Sequence, residues 1–234
     1  MDRDAVKVPM TTMTWTKLAP VGFAAALALV TALHLLAQLV AAEGILADVT
    51  QILLMPLLFG ALYCATSAKR PRLVRLVLIA VVFSWLGDTV PRFMGGDSGF
   101  LVMVGFFLMA QLFYIAALWP YRHSSVAVRA LPALPYLAVF AGLVLACAPG
   151  AGGLLVPVLI YGLALVLMAM LSTGLGALAG VGGAIFLISD GLIALRSFTT
   201  WELPGASFWI MLSYVVGQGL ITVTVVRQTP RLHP

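Results

Sequence analysis

"ALPALPYLAVFAGLVLACAPGAGGLLVPVLIYGLALVLMAMLSTGLGALAGVGGAIFLIS", residues 130–189, runs for 60 positions between Arg129 and Asp190 without a charged side chain. As one helix it would be about 90 Å long, three times the roughly 30 Å hydrocarbon core of a bilayer. The run must therefore fold back on itself. It breaks at Pro149-Gly150-Ala151-Gly152-Gly153 and at Ser172-Thr173-Gly174, because glycine and proline interrupt helices, and three spans of membrane length result. Extended along the chain, the same reading predicts eight helices at about 18–41, 45–66, 72–90, 99–119, 130–148, 154–172, 174–195 and 205–226. Short connections make neighbours antiparallel. Each segment is continuously apolar where the strands of a membrane barrel would alternate.

The composition agrees. Hydrophobic residues make up 62% and charged residues 9%, far from the half-apolar, quarter-charged mix of a soluble domain. The expected architecture is an all-α polytopic membrane protein: one membrane domain over 18–226, in halves at about 18–120 and 130–226, between tails at 1–17 and 227–234. The first apolar segment exceeds the length of a signal-peptide core and reads as an uncleaved first helix. With eight spans both termini share one side. Of the 13 arginines and lysines only Arg92 and Arg196 fall on the other side, so the positive-inside rule predicts cytoplasmic termini and insertion in the cell membrane. The net charge of +5 follows from that asymmetry and calls for no nucleic acid. Cys64 and Cys147 lie toward opposite membrane faces, too far apart for a disulfide.

A weak repeat underlies the apolar background. "LLMPLLFGAL" (53–62) is echoed by "LLVPVLIYGLAL" (154–165), "FSWLGD" (83–88) by "FLISDG" (186–191), and "MAQLFYI" (109–115) by "VGQGLI" (216–221). The matched pairs are Pro56 with Pro157, Asp88 with Asp190 and Gln111 with Gln218. These predict two parallel four-helix halves related about an axis along the membrane normal. That symmetry would set Asp88 and Asp190 at similar depth, facing each other.

A carboxylate facing lipid is costly, so Asp190 must point into the bundle or a wet cavity. It serves there either to pin helix register or to do chemistry, and a second acid in a matching position favours chemistry. Asp88 lies near a helix end with Arg92 one turn on as a surface partner, and Asp48 and Glu43 read as caps at the start of the second helix. His34, within the first span, is a packed or a catalytic histidine. Gln111, Tyr114, Tyr214 and Gln218 line a common cavity or bond helices together. His123 and His233 lie in a loop and a tail, so the three histidines cannot assemble a catalytic zinc site, and no metal or cofactor is expected.

The stretches "TQILLMPLLFGAL", "FSWLGD", "GFFLMAQLFYIAAL", "GAIFLISDGLIALRSF" and "IMLSYVVGQGLI" together resemble the YhhN-like integral membrane lysoplasmalogenases, in order and spacing. The resemblance implies an eight-helix hydrolase that cleaves the vinyl ether of lysoplasmalogens to a fatty aldehyde and a glycerophospho-base. The family's paired acids map onto Asp88 and Asp190. Its helix 4 histidine is replaced by Gln111, and its lysine-proline pair in helix 2 by Gln51-Ile52. Vinyl ether hydrolysis needs a proton donor and a base, which two carboxyls can supply. A lysophospholipid would enter from the bilayer, its phosphate meeting Arg92 or Arg196. A lipid-binding protein or a proton-coupled transporter would use the same acids. Release of aldehyde in detergent, without a gradient, separates these classes.

Overall fold

The computed structural model describes residues 10–42, 44–66 and 69–229, with side chains from residue 18 onward. Glu43, His233, Arg231 and the basic residues of the N-terminal tail lie outside what it describes. Eight α-helices follow one another: α1 (Met10–Val40), α2 (Ile45–Ala65), α3 (Arg72–Thr89), α4 (Gly96–Leu118), α5 (Ala130–Ala151), α6 (Leu155–Ser172), α7 (Ala177–Phe198) and α8 (Ala206–Gln228). Among the described residues there is no strand. Seven stretches are long and apolar enough to cross a membrane, and one of them, Ala130–Leu175, is 46 residues long and holds both α5 and α6. This is a multi-pass membrane protein.

The 60-residue run reverses where its glycines allow. α5 ends at Gly152, whose φ of +50° belongs to the left-handed region that glycine enters freely. The Phe140 ring then lies against Gly162, which only a reversal near Ala151 can bring together. The second break falls slightly later than the sequence predicts. Thr173–Leu175 forms a 3₁₀ turn and Gly176 takes φ +138°, so α7 begins at Ala177 rather than Gly174. Asp190 consequently lies well inside α7, whereas Asp88 is the penultimate residue of α3.

Backbone groups within hydrocarbon must be paired, and α2 shows how that is met. Pro56 inside α2 has no N–H to give the carbonyl of Ile52, four residues earlier. The indole Nε1 of Trp85 donates to that oxygen instead, at 3.1 Å, and so ties α3 to α2. Pro157 occupies the first turn of α6, where no such bond is lost.

α3 packs along α4 as α7 packs along α8, and α4 meets α6 as α8 meets α2. The outer helices differ, for α5 also packs on α7 while α1 contacts α8. The α7–α8 crossing depends on glycine. A Cβ on Gly182 would stand 2.8 Å from the Gly217 carbonyl oxygen, and one on Gly217 would stand 2.9 Å from that of Gly182. Ser189 Oγ, two turns along, donates to the Ile210 carbonyl at 2.9 Å and closes the same contact.

Gly182→Val should force this crossing open and cost about 1–3 kcal/mol, the usual range for overpacking. Thermal unfolding in detergent should show a lowered midpoint, against an unchanged one for Gly105→Val, where a Cβ meets nothing within 4 Å.

Candidate active site

Asp88 and Asp190, on α3 and α7, are each only 9% exposed and line one cavity of about 360 Å³. Gln51 of α2, Met103 and Phe107 of α4, and Met211 and Tyr214 of α8 complete much of its wall. The two acids receive different surroundings. Asp88 accepts from Tyr214 Oη at 2.8 Å on Oδ2 and from Gln51 Nε2 at 3.3 Å on Oδ1. Asp190 accepts from the hydroxyl of Tyr161 on α6. Tyr161 and Asp190 also border two narrow apolar gaps, one toward α4 and one toward α5. The acid of α3 therefore looks onto polar groups, and that of α7 onto hydrocarbon.

Arg92 follows α3 in a 3₁₀ turn over Val90–Phe93 and lines the same cavity. The sequence suggests it as a surface partner of the Asp88 carboxylate, but it pairs elsewhere. Its Nη1 meets Asp48, its Nη2 donates to Gln51 Oε1, and its Nε donates at 3.2 Å to the Asp88 backbone carbonyl. The 3₁₀ turn carries Arg92 past the end of α3, and its side chain bonds to α2 residues as well as to the last turn of α3. Asp48 lies in the first turn of α2, where a negative charge complements the helix dipole as expected, but it caps no amide and is the counter-ion of Arg92. The cap position is Gly44, and no side chain caps there. Gln51 is the link that sequence reasoning missed: its amide passes the guanidinium's polarity to Asp88. The only signal was its place as a departure from the family's lysine.

Other expected site residues lie outside the cavity. His34 is fully buried between α1 and α2, with Nδ1 2.8 Å from Thr50 Oγ1 and Nε2 3.1 Å from Gln38 Nε2. Thr50 already donates to the Leu46 carbonyl at 2.5 Å, so Nδ1 must donate to Thr50 and Nε2 accept from Gln38. Both ring nitrogens are used in packing. Arg196 lies on another face of α7, where Nη1 donates to Ser207 Oγ at 2.7 Å. It lines a separate polar pocket of about 520 Å³ formed with Gln38 and the loop between α7 and α8. An arginine six residues beyond Asp190 on one helix points well away from it, because six residues are 1.67 turns.

The expected quartet of polar residues divides. Only Tyr214 reaches the cavity. Tyr114 donates to Gln218 Oε1, and Gln218 Nε2 donates to Ser84 Oγ at 3.1 Å, which joins α4, α8 and α3 beneath the acids. Gln111 is fully buried and approaches the Tyr161 hydroxyl, yet neither of its amide atoms completes a hydrogen bond. Tyr161, the donor to Asp190, was legible only as a polar residue within the second proline motif.

Two carboxyls that share a cavity, each held by a tyrosine and enclosed by apolar helices, are the buried polar centre of a polytopic membrane protein. The chain belongs to the YhhN family, whose model matches residues 46–225. It is also 43% identical over 76 residues to the lysoplasmalogenase TMEM86B of Homo sapiens, a stretch that is 32% of this chain and 32% of the relative. No solved structure matches the chain.

An amide buried without partners costs about 1–3 kcal/mol. Gln111→Met, of similar length and without polar atoms, should therefore raise the thermal midpoint in detergent. A lowered midpoint would mean that the amide is bonded in the folded protein.

Proposed function

We propose that this chain is a membrane-embedded hydrolase that cleaves the vinyl ether of lysoplasmalogens, with Asp88 and Asp190 as its acid–base pair. The observation that carries the reading is the shared cavity, in which one acid borders polar groups and the other borders apolar gaps. Family membership and the name of the human relative point the same way. The accompanying topology is eight spans in two parallel halves, with cytoplasmic termini in the cell membrane. Supporting it are the separate α5 and α6, the paired α3–α4 and α7–α8 packing, and the side of the chain on which Arg92 and Arg196 fall.

The polarity of the cavity matches the polarity of the bond. In R–CH=CH–O–R′ the β carbon belongs to the hydrocarbon chain, and the oxygen belongs to the glycerol. Asp190, at the apolar end, protonates the β carbon with the π electrons, which leaves an oxocarbenium ion. Asp88 holds the negative charge, because its carboxyl receives two hydrogen bonds, from Tyr214 and Gln51, where Asp190 receives one. It stabilises the cation and takes a proton from the water whose oxygen attacks the α carbon. The hemiacetal then collapses: its hydroxyl proton returns to Asp190, Asp88 protonates the departing glycerol oxygen, and the products are R–CH₂–CHO and HO–R′. Both carboxyls end as they began, so the cycle needs no further acid or base. Tyr161 and Tyr214 hold the two carboxyls in place, and Arg92 is the cation nearest to where a phosphate would rest.

Asp88→Asn and Asp190→Asn keep shape and hydrogen bonding but remove the titratable proton, so each should lower turnover by at least about 10²-fold with expression unaffected. Aldehyde release from purified protein in detergent measures it. Full activity in either variant would sink the paired-acid mechanism, and no aldehyde from the wild type would sink the hydrolase and leave a lipid-binding or transport protein.

Gln111→His should raise turnover and add a limb to the pH profile near the ordinary imidazole pKa of about 6.5, because an imidazole beside Tyr161 can exchange protons that an amide cannot. The comparison is made on one lysoplasmalogen in one detergent. A flat or reduced rate would assign the position to packing.

A further inference from the structure

α5 is 22 residues long, yet only Ala133, Cys147 and Ala151 of it are buried. Leu131, Leu134 and Leu145 face away from the protein. Its inner side leaves a narrow gap against α6 and α7 that runs from Phe140 to Ala151, about 16 Å at 1.5 Å per residue. Leu143, Val144, Val158 and Leu187 are typical of the lining, and its polar side chains are Tyr161 and Asp190. Two glycines let α5 side chains lie close against the opposite wall, so the gap is tight at those points. A Cβ on Gly162 would stand 2.8 Å from the Phe140 ring, and one on Gly191 would stand 3.2 Å from Leu143 Cδ1.

The gap adjoins the candidate active site. It shares Val158, Tyr161, Asp190 and Ala194 with the smaller gap toward α4. That gap in turn shares Met103, Phe107, Asp190 and Ile193 with the cavity that holds Asp88 and Arg92. Asp190 is thus a common wall of all three spaces, with a guanidinium on one side of it and a slot walled by hydrocarbon on the other. The slot is about 60 Å³; its apolar lining excludes a polar head, and it accepts a flexible chain only as its wall moves outward.

We propose that the slot between α5, α6 and α7 binds the single long alkenyl chain of a lysolipid and sets chain-length preference. The assignment rests on the hydrolase reading for its substrate, and on Asp190 and Tyr161 in the lining of the slot for its place. α5 is the movable wall, since few of its side chains anchor it, and the chain enters from the bilayer beside it. Leu143 and Gly191 are the specificity-determining positions, because they meet across the slot next to Asp190.

Leu143→Trp and Gly191→Val fill the slot from opposite walls, and Leu145→Trp adds the same bulk to the lipid-facing side of α5 as a control. Each is purified in detergent and assayed on octadecenyl and octenyl lysoplasmalogens, and its retention of a non-hydrolysable octadecyl ether analogue is read by native mass spectrometry. Both fillers should lower the long-chain to short-chain ratio of kcat/KM by at least about tenfold, a discrimination a few methylenes can supply. They should also lose the bound analogue, whereas Leu145→Trp changes neither reading. If one filler fails to fold, the other decides. Fillers that keep both the ratio and the analogue overturn the slot while leaving the hydrolase intact. If the wild type hydrolyses nothing but binds the analogue, and the fillers release it, the slot stands and the hydrolase reading falls.

Discussion

A carboxyl group inside a membrane-spanning helix cannot face lipid, since its transfer into hydrocarbon costs several kcal/mol even after local accommodation. Asp88 and Asp190 place that demand on α3 and α7, and the middle of the bundle is arranged to meet it. α8 lies where it can give Tyr214 to Asp88, and α6 where it can give Tyr161 to Asp190. Below the acids, Tyr114, Gln218 and Ser84 satisfy one another in a place where no water would serve.

The same demand produces a gradient of polarity. On the α2–α3 side, Asp48, Arg92 and Gln51 form a chain of charged and neutral groups that ends at Asp88. On the α5–α6 side, the hydroxyl of Tyr161 is the last polar group before hydrocarbon. Two identical side chains thus receive different surroundings from their neighbours.

Pairing of backbone groups shapes the fold at finer scale. Pro56 deprives the Ile52 carbonyl of its helical donor, and Trp85 supplies another from the next helix. A feature that would weaken a helix in isolation thus becomes a specific link between two helices. Gln111 shows the contrary case, an amide brought into the core without a bond.

Helices and breaks were legible in the sequence because they depend on local quantities: the length of an apolar run and the position of glycine and proline. The acids were legible for the same reason, since a carboxyl in such a run is conspicuous wherever it points. What the sequence could not reveal was which polar side chains meet. Nearly every face of these helices is apolar, so no polar stripe marks the inward side, and the direction of a residue depends on how its helix crosses the next. Only the tertiary structure therefore sent Arg92 to Asp48 and Gln51, turned Arg196 into a pocket of its own, kept His34 between α1 and α2, and brought Tyr161 to Asp190. Burial and crossing angle made those choices, through contacts between residues far apart in the chain.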